Sequence, residues 1–363
     1  MNRDSISEIK KAPEKLRRIR SESGKGYVFL ITDYLLQRFK NGLEFNEYHD
    51  FEFERQSKEY RKSYLNTKQK LKYLSLLNSF DKYYTLARNK YLTHIFLQDL
   101  NIPVARLIYY YNPHIYSQGP MYGNSKLVLA EAIKASGISG LVLKPAEGKW
   151  GRGVMVYSEM FQNNGKHYLR QWDGIEVAMD ELLGSEPLLF EERVEQTEQL
   201  KRINPGSLNT LRVMSSLYPD GEVDVFRVFI KFGRLGSCVS NRGDGENIAA
   251  TVDLNTGTLI NPGHFKGFRN IQPVTEHPDS REQIEGIQIK EWKSLIDQVK
   301  DFHKRIGFLK VLAWDIAVTD RGALVIEIND LFDNAGQIIT GKGWREDIEK
   351  CYERWKNVMD RSN

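Results

Sequence analysis

Apolar residues in the first part of the chain recur at the three- and four-residue spacing of a helix. The clearest example lies between residues 57 and 98, where the apolar positions are Leu71, Leu74, Leu77 and Phe80. This spacing predicts an amphipathic helix, and similar patterns predict a mainly helical region over about the first 110 residues. The Asn-Ile-Pro-Val segment at 101–104 ends the pattern, because the residue before a proline disfavours helical backbone angles.

Beyond this proline the pattern changes to short apolar runs separated by turn residues. Residues 106–111 and 188–194 are predicted as strands and residues 125–136 as a helix. Residues 209–216 and 223–231 flank a Pro-Asp-Gly turn, which predicts a β-hairpin.

The last part of the chain is predicted to hold a helix near residues 290–306, a strand pair at 311–318 and 323–329, and a closing helix. One side of that closing helix carries an apolar set that predicts packing on the body. The set consists of Trp344, Ile348, Cys351, Tyr352 and Trp355.

A glycine-rich turn connects two apolar runs in the middle of the chain. The first run, residues 141–144, ends in Lys144, and the turn at 146–153 reads Ala-Glu-Gly-Lys-Trp-Gly-Arg-Gly before a second run at 154–157. Glycines allow backbone N–H groups to approach an anion, and lysines supply positive charge. The turn leads into a strand, so it matches neither a Walker loop nor a dinucleotide fingerprint. It predicts a polyphosphate site, with an exposed strand-end lysine as the alternative.

Two acidic residues lie in the final predicted hairpin. A three-residue Asp-Arg-Gly turn would place Asp315 opposite Glu327, with Asn329 two residues further on the same face. Two carboxylates about 5 Å apart repel by roughly 3 kcal/mol at an effective dielectric near 20. A divalent cation would offset this repulsion, and these oxygen donors suit Mg²⁺. The alternative is a pair of surface acids neutralised by Arg212 or Arg321.

The composition is that of an ordinary globular protein, with 40% hydrophobic and 28% charged residues among 363. The net charge of +4 is small and the charges are interspersed, which argues against nucleic acid as a partner. The basic stretch at residues 10–20 is read as a solvated helix or frayed terminus, because acids are mixed into it, with contact to an acidic membrane surface as the alternative.

The cysteines and the hydropathy of the chain indicate the cellular compartment in which the protein is expected. The two cysteines, Cys238 and Cys351, form no metal-binding or disulfide pattern, which predicts a reducing environment. Neither a signal-peptide pattern nor an apolar run long enough to span a bilayer is visible. A cytoplasmic location without an integral membrane segment is therefore expected.

The glycine turn followed by the acid pair resembles the ATP-grasp superfamily over about residues 85–335. The resemblance implies an α+β protein with the ATP-grasp fold, in which two α/β lobes clasp ATP after a mainly helical N-terminal region. It also implies a nucleotide site, whose residues would be Lys90, Lys144, Gly148, Gly151, Arg152, Gly153, Glu191, Glu192 and Val194. The implied metal ligands are Asp315, Glu327 and Asn329, for Mg²⁺ or alternatively Mn²⁺.

Further motifs at 206–212, 233–241 and 248–257 are similar to the sugar-transfer-associated ATP-grasp group. Members of that group are linked with polysaccharide-type biosynthesis. The expected division of the chain is an N-terminal helical region (1–85), an N-terminal lobe with the phosphate loop (86–195), a C-terminal lobe with the metal site (196–340) and a C-terminal helix (341–363).

The chain departs from the superfamily at one position: some members carry an arginine two residues before the metal-binding aspartate, where this chain has Ala313. Arg212, or else Arg234, is expected to take that role, and Asn241 is a third candidate for contact with the reacting groups. The implied activity is an ATP-dependent ligase that joins a small-molecule carboxylate, such as a carboxylated sugar, to an amine through an acyl-phosphate. The alternatives are a kinase that phosphorylates a hydroxyl and a non-catalytic nucleotide-binding partner in glycan assembly. The oligomeric state is not predicted.

Overall fold

The computed structural model of the protein describes residues 3–148, 151–234, 236–237 and 246–362. Within these residues a run of helices precedes the first strand, which confirms the predicted helical N-terminal region. Leu74 and Leu77 are buried as their spacing predicts, whereas Leu71 faces solvent. The helices are α1 (Arg3–Ser23), α2 (Tyr27–Asn41), α3 (Phe45–Asp50), α4 (Lys58–Ser63), α5 (Thr67–Asn78), α6 (Phe80–Arg88) and α7 (Lys90–Asp99).

The first sheet has seven strands in the order β2-β1-β7-β3-β4-β5-β6. Its β3 and β4 form the predicted antiparallel hairpin around the glycine turn, and β7 pairs with β3 on the other side. One face packs on α8 through Leu141, Leu143 and Phe190. The elements are β1 (Leu107–Tyr111), β2 (Tyr122–Gly123), α8 (Lys126–Ser136), β3 (Leu141–Pro145), β4 (Met155–Asn163), β5 (Lys166–Gln171), β6 (Glu176–Ala178), α9 (Met179–Leu182) and β7 (Leu188–Glu192).

The second sheet also has seven strands, in the order β12-β11-β10-β9-β8-β13-β14. Its β8 and β9 form the hairpin predicted around the Pro-Asp-Gly turn. The strands are β8 (Thr210–Leu217), β9 (Val223–Phe232), β10 (Glu246–Val252), β11 (Leu259–Lys266), β12 (Gln272–Pro273), β13 (Val311–Thr319) and β14 (Gly322–Asn329). The helices of this part are α10 (Glu198–Ile203), α11 (Trp292–Ile306), α12 (Ala335–Ile339) and α13 (Arg345–Ser362).

Both faces of the second sheet are covered, by different helices. On one face α11 and the end of α7 pack against alternate residues such as Trp314 and Ile316. On the other face α5 and α13 bury Met214 and Ala313, which confirms the predicted packing of the C-terminal helix. Asn78, at the end of α5, donates through Nδ2 to two backbone carbonyls of the sheet region at 2.8 Å each. The helical N-terminal region is therefore joined to the second sheet by packing and by buried hydrogen bonds.

The last hairpin, β13 and β14, has a different turn from the one predicted. Thr319 pairs with Gly322, so the turn contains two residues, and Ile316 pairs with Val325. Such a turn alone would put the two acids on opposite faces, because side chains alternate along a strand. A β-bulge between residues 315 and 316 restores the pairing of Asp315 with Glu327, since the extra residue on one strand reverses its alternation. The predicted pairing of the acids is confirmed, whereas the predicted three-residue turn is wrong.

The segment that leads out of α7 is attached to this hairpin. Val104 forms a parallel bridge with Val325, and the Val325 N–H donates to the Pro103 carbonyl at 2.8 Å. This attachment joins the end of α7 to the second sheet, and Lys90 at the start of the helix lies near enough to Glu327 to feel its charge.

Candidate active site

A cleft of about 840 Å³ opens between the two sheets. The first sheet contributes Lys144 and Glu191 to its lining, and the second contributes Lys231, Asp315 and Glu327. The two acids project from the face of the second sheet that α5 and α13 cover only in part. The cleft therefore collects charged side chains from parts of the chain that are far apart in sequence.

Lys144 is held by an acid of the neighbouring strand. Its Nζ lies 2.5 Å from Glu191 Oε2, and both side chains are almost fully buried. The other carboxylate oxygen of Glu191 lies 3.8 Å from His94 Nδ1. Burial lowers the pKa of His94, so the imidazole is neutral at neutral pH and leaves the Glu191 charge to Lys144. The predicted phosphate lysine thus has a fixed position in the cleft.

Lys90 is bound to the glycine-rich turn. Its backbone N–H donates to the Ala146 carbonyl at 2.8 Å, and its Nζ donates to the Gly148 carbonyl at 3.0 Å. Burial lowers the pKa of Lys90, and the nearby Lys144 lowers it too, while Glu327 opposes the shift. The half-buried ammonium of Lys90 has one carbonyl acceptor in the described residues, so it keeps unused donors, which phosphate oxygens would satisfy.

The glycine turn requires glycine at its end. Gly153 has a φ of +75°, and a Cβ atom at this position would lie 2.8 Å from Cγ of Pro145. Both conditions exclude larger residues without a shift of the backbone. Gly148, Gly151 and Arg152 line the cleft as predicted, whereas residues 149–150 lie outside the described residues.

The segment after β7 forms one edge of the cleft. Glu192 and Val194, which the resemblance assigned to the nucleotide site, line it. The backbone N–H of Glu192 donates to the Arg106 carbonyl at 2.9 Å, which ties this edge to the segment before β1. Trp172, which is 59% exposed, also lines this edge, and the guanidinium of Arg193 lies 4.6 Å from its ring centroid.

Arg212 binds both carboxylate oxygens of Asp315. Arg212 Nε donates to Oδ1 at 2.7 Å, and Nη2 donates to Oδ2 at 3.0 Å. Lys231 Nζ lies 3.3 Å from Oδ1 of the same carboxylate. Burial alone would raise the pKa of Asp315, but Arg212 and Lys231 outweigh burial and hold it below its usual range. The neutralisation by Arg212 that was considered from sequence is therefore present, although it is buried rather than on the surface.

Glu327 is in the opposite situation. Among the described residues it forms no ion pair within 4.0 Å. Burial and the charge of Asp315 raise the pKa of Glu327, and Lys90, Arg212 and Lys231 offset this only in part. Glu327 is therefore an acid whose charge the protein alone does not satisfy.

Asn329 completes the predicted metal set. Asn329 lies opposite Ala313, two pairs further along the ladder than the acids, and its Nδ2 is buried and without a hydrogen-bond partner among the described residues. In the described part of the chain no group of three or more His, Cys, Asp or Glu side chains forms a metal cluster. Two carboxylates and the Oδ1 atom of an amide are nevertheless the oxygen donors that Mg²⁺ prefers, and the unpaired carboxylate of Glu327 fits such an ion.

Arg234 lies apart from this group. Arg234 forms a bidentate ion pair with Asp279, with distances of 2.8 and 2.9 Å, and contacts His264 Nε2 at 3.2 Å. It does not belong to the described lining of the cleft. Asn241 lies outside the described residues.

Three residues of the site were not predicted from sequence: Lys231, His94 and Trp172. The sequence does contain an indication of Lys231, because this lysine lies at the end of an apolar run, as Lys144 does. Burial lowers the pKa of Lys231, although Asp315 opposes this shift. His94 and Trp172 had no such signal, because only the packing of α7 and β5 brings them to the cleft.

Two sheets that face each other across a cleft, with a glycine-rich turn and lysines opposite paired acids, define the ATP-grasp class of proteins. The family profile described as sugar-transfer-associated ATP-grasp matches residues 68–352, and the chain belongs to this family. Both the predicted family and the predicted fold are thus confirmed. No curated protein matches the chain.

Several solved structures are similar at low sequence identity. D-alanyl-alanine synthetase A from Vibrio cholerae O1 biovar eltor is 12% identical, with a TM-score of 0.42 over 74% of this chain and 65% of that one. A D-Ala:D-Ser ligase from Enterococcus faecalis is 13% identical, with a TM-score of 0.42 over 74% and 62%. N5-carboxyaminoimidazole ribonucleotide synthetase from Thermotoga maritima is 15% identical, with a TM-score of 0.39 over 77% and 56%. The chain spans less than two thirds of the length of each of these proteins.

Proposed function

We propose that the protein is an ATP- and Mg²⁺-dependent ligase that joins a carboxylate to an amine through an acyl-phosphate. The observation that carries this proposal is the convergence of Lys90 and Lys144 with Asp315 and Glu327 in one cleft. Phosphoryl transfer depends mainly on positioning and charge neutralisation, and this cleft supplies both without a protein nucleophile.

The nucleotide is proposed to lie along the first sheet. Lys90 and Lys144 would bind its phosphates, and the glycine turn at 146–153 would cover them with backbone N–H groups. The base would lie against the hinge at Glu191–Val194, whose residues line the same cleft. Lys144 would exchange part of its contact with Glu191 for phosphate oxygens, since an ammonium has three donors.

Asp315, Glu327 and Asn329 are proposed to hold Mg²⁺. When bound, the ion would neutralise charge on the phosphate oxygens. Arg212 and Lys231 keep Asp315 ionised and fix the orientation of its carboxylate. Arg212 is buried beside the acids, so we assign to it, rather than to Arg234, the stabilisation of charge on the reacting groups.

In the first step, a substrate carboxylate oxygen attacks the γ-phosphorus, the bond to the bridging oxygen breaks, and ADP leaves. In the second step, an amine nitrogen attacks the acyl carbon, the bond to the phosphate oxygen breaks, and inorganic phosphate leaves. The amine also releases a proton, which completes the amide. Exclusion of water from the covered cleft would protect the acyl-phosphate from hydrolysis.

We further propose that the carboxylate belongs to a sugar or glycan precursor and that the reaction takes place in the cytoplasm. The description of the family supports a link with sugar transfer.

The test is ADP release from ATP and Mg²⁺ with pools of uronic acids and amino acids, each with and without an amine pool. We expect release that requires both, an amide product by mass spectrometry, and transfer of ¹⁸O from the labelled carboxylate to inorganic phosphate. A stable phosphorylated product formed without an amine would establish a kinase instead. ATP binding without turnover in any pool would establish a non-catalytic nucleotide-binding protein.

A further inference from the structure

The helix α2 exposes most of its apolar side chains. Five of them recur mainly at three- and four-residue spacing and therefore share one side of the helix. We call this set the outer stripe; it consists of Val28, Ile31, Leu35, Leu36 and Phe39. Val28 and Phe39, near the two ends, are 80% and 83% exposed. Isolated exposed apolar residues are ordinary, but a continuous stripe along a whole helix indicates a binding surface.

The inner side of α2 is more polar than its outer side. Asp33 lies on it and binds two partners, since Arg61 Nη1 donates to Oδ1 at 2.8 Å and Tyr48 Oη donates to Oδ2 at 2.8 Å. Leu30 is the buried apolar residue of this helix. Rotation of α2 to bury the outer stripe would expose Leu30 and break both contacts of Asp33. The orientation of the helix is therefore fixed by its inner contacts, and the stripe is left for an external partner.

Positive charge surrounds the outer stripe. The first 41 residues contain ten Lys and Arg but five Asp and Glu, an excess larger than the net charge of +4 of the whole chain. Arg38 and Lys40 flank Phe39, roughly 100° to either side of it around the helix. Arg38 is paired with Glu44 at 2.5 Å, so Lys40 carries the uncompensated charge at this end. The ammonium of Lys25 lies 4.7 Å from the ring centroid of Phe29 at the other end. Asp33 is the acid of α2, and it points inward.

We propose that the outer stripe docks this protein onto the surface of an anionic lipid bilayer, with α2 lying in the plane of the interface. A helix with an apolar face bordered by lysine and arginine is the type that binds such interfaces, because long basic side chains reach the headgroups while the apolar face enters the acyl boundary. In the described residues no helix is long and apolar enough to cross a bilayer.

A second copy of the chain fits this surface less well. A 15-residue helix is about 22 Å long, and a face about 10 Å wide gives roughly 220 Å² per partner, far below the ~800 Å² of a standard interface. Two such faces would also bring their flanking cations together, and like charges repel. Charge and area both favour an acidic lipid surface.

The experiment is co-sedimentation of the full chain with two kinds of vesicle, phosphatidylcholine alone and an equal mixture of phosphatidylcholine and phosphatidylglycerol. We expect binding to the mixed vesicles that weakens at high salt, and little binding to phosphatidylcholine. Val28→Ser combined with Phe39→Ser should weaken binding about tenfold or more, since binding scales with buried apolar area. Tyr116→Ser, at a 95% exposed position of the first lobe, is the matched control and should bind like the wild type.

Thermal unfolding and nucleotide binding of the double variant should match the wild type, because both replaced side chains are exposed. The proposal is overturned if the wild type binds neither vesicle or if the double variant binds as well as the wild type. A dimer in light scattering that the double variant dissociates, without vesicle binding, would make the stripe an interface between copies. None of these outcomes depends on the reaction proposed for the cleft, so the two proposals fail separately.

Discussion

Glu327→Gln is the most informative single change in the cleft. The substitution keeps the shape of the side chain and removes one charge. In the free protein Glu327 lies opposite Asp315, and burial together with that charge raises its pKa. We therefore expect the variant to unfold at a higher temperature than the wild type in the absence of metal, although it should lose Mg²⁺-dependent turnover.

The size of the expected gain in stability follows from the repulsion between the two paired acids. Directly opposed side chains on adjacent strands lie about 5 Å apart, and two carboxylates at this distance repel by about 3 kcal/mol at an effective dielectric near 20. Lys90, Arg212 and Lys231 attract Glu327 and offset part of this repulsion. A net gain of about 1 kcal/mol for the variant corresponds to a rise of roughly 1–2 °C in Tm for a chain of this size.

The pH dependence supplies an internal check. Because folding raises the pKa of Glu327, its ionised form costs more free energy in the folded state than in the unfolded state. The free energy of unfolding of the wild type therefore falls as the pH rises through the raised pKa of Glu327, and it recovers at lower pH. The difference in Tm between variant and wild type should be present at pH 8 and should shrink towards pH 5.

The assay is scanning calorimetry in EDTA at several pH values, repeated with Mg²⁺ and ATP. Asp320→Asn is the matched control, since it removes the same charge at an exposed position in the turn of the same hairpin. A variant less stable than the wild type at neutral pH would refute the view of Glu327 as an unsatisfied acid. Turnover within about tenfold of the wild type, a loss below ~1.4 kcal/mol, would refute the metal assignment.

Three other changes test the remaining parts of the cleft. Lys144→Met should weaken ATP binding in calorimetric titration by at least about tenfold, a loss of ~1.4 kcal/mol. Lys134→Met, on the exposed side of α8, is the control and should bind ATP like the wild type. If Lys144→Met also binds ATP like the wild type, Lys144 does not belong to the phosphate site. Gly153→Ala should slow turnover, because its φ of +75° and the nearby proline oppose a Cβ atom. ATP and Mg²⁺ should also protect the glycine turn from protease nicking in the wild type, and unchanged nicking would contradict its role as a cover. Arg212→Met should lower the free energy of unfolding by about 3 kcal/mol, because the buried Asp315 would keep only Lys231 as a cationic partner. A loss below about 1 kcal/mol, measured by urea unfolding, would contradict this expectation.

Much of the fold follows from local patterns along the chain. The helical spacing before residue 100, the glycine turn between two apolar runs and the Pro-Asp-Gly hairpin are all present in the structure. These features depend on neighbours within a few residues, which is why periodicity and turn chemistry predict them. Lys144 and the acid pair were also found in this way, since charged residues in apolar strands are unusual.

What only the tertiary structure decided is how distant segments meet. The sequence between Asp315 and Glu327 predicted a three-residue turn. The folded hairpin instead has a two-residue turn, and a β-bulge brings the two acids opposite each other. Lys231 and His94 gained their places through strand pairing and helix packing, and neither contact is encoded by residues nearby in the sequence. The outward orientation of the apolar side of α2 also depends on tertiary contacts, since Asp33 on the opposite side binds Tyr48 and Arg61. Local sequence sets the backbone geometry and the side-chain spacing of each element, but the contacts between elements select which side faces the core, the cleft or the solvent.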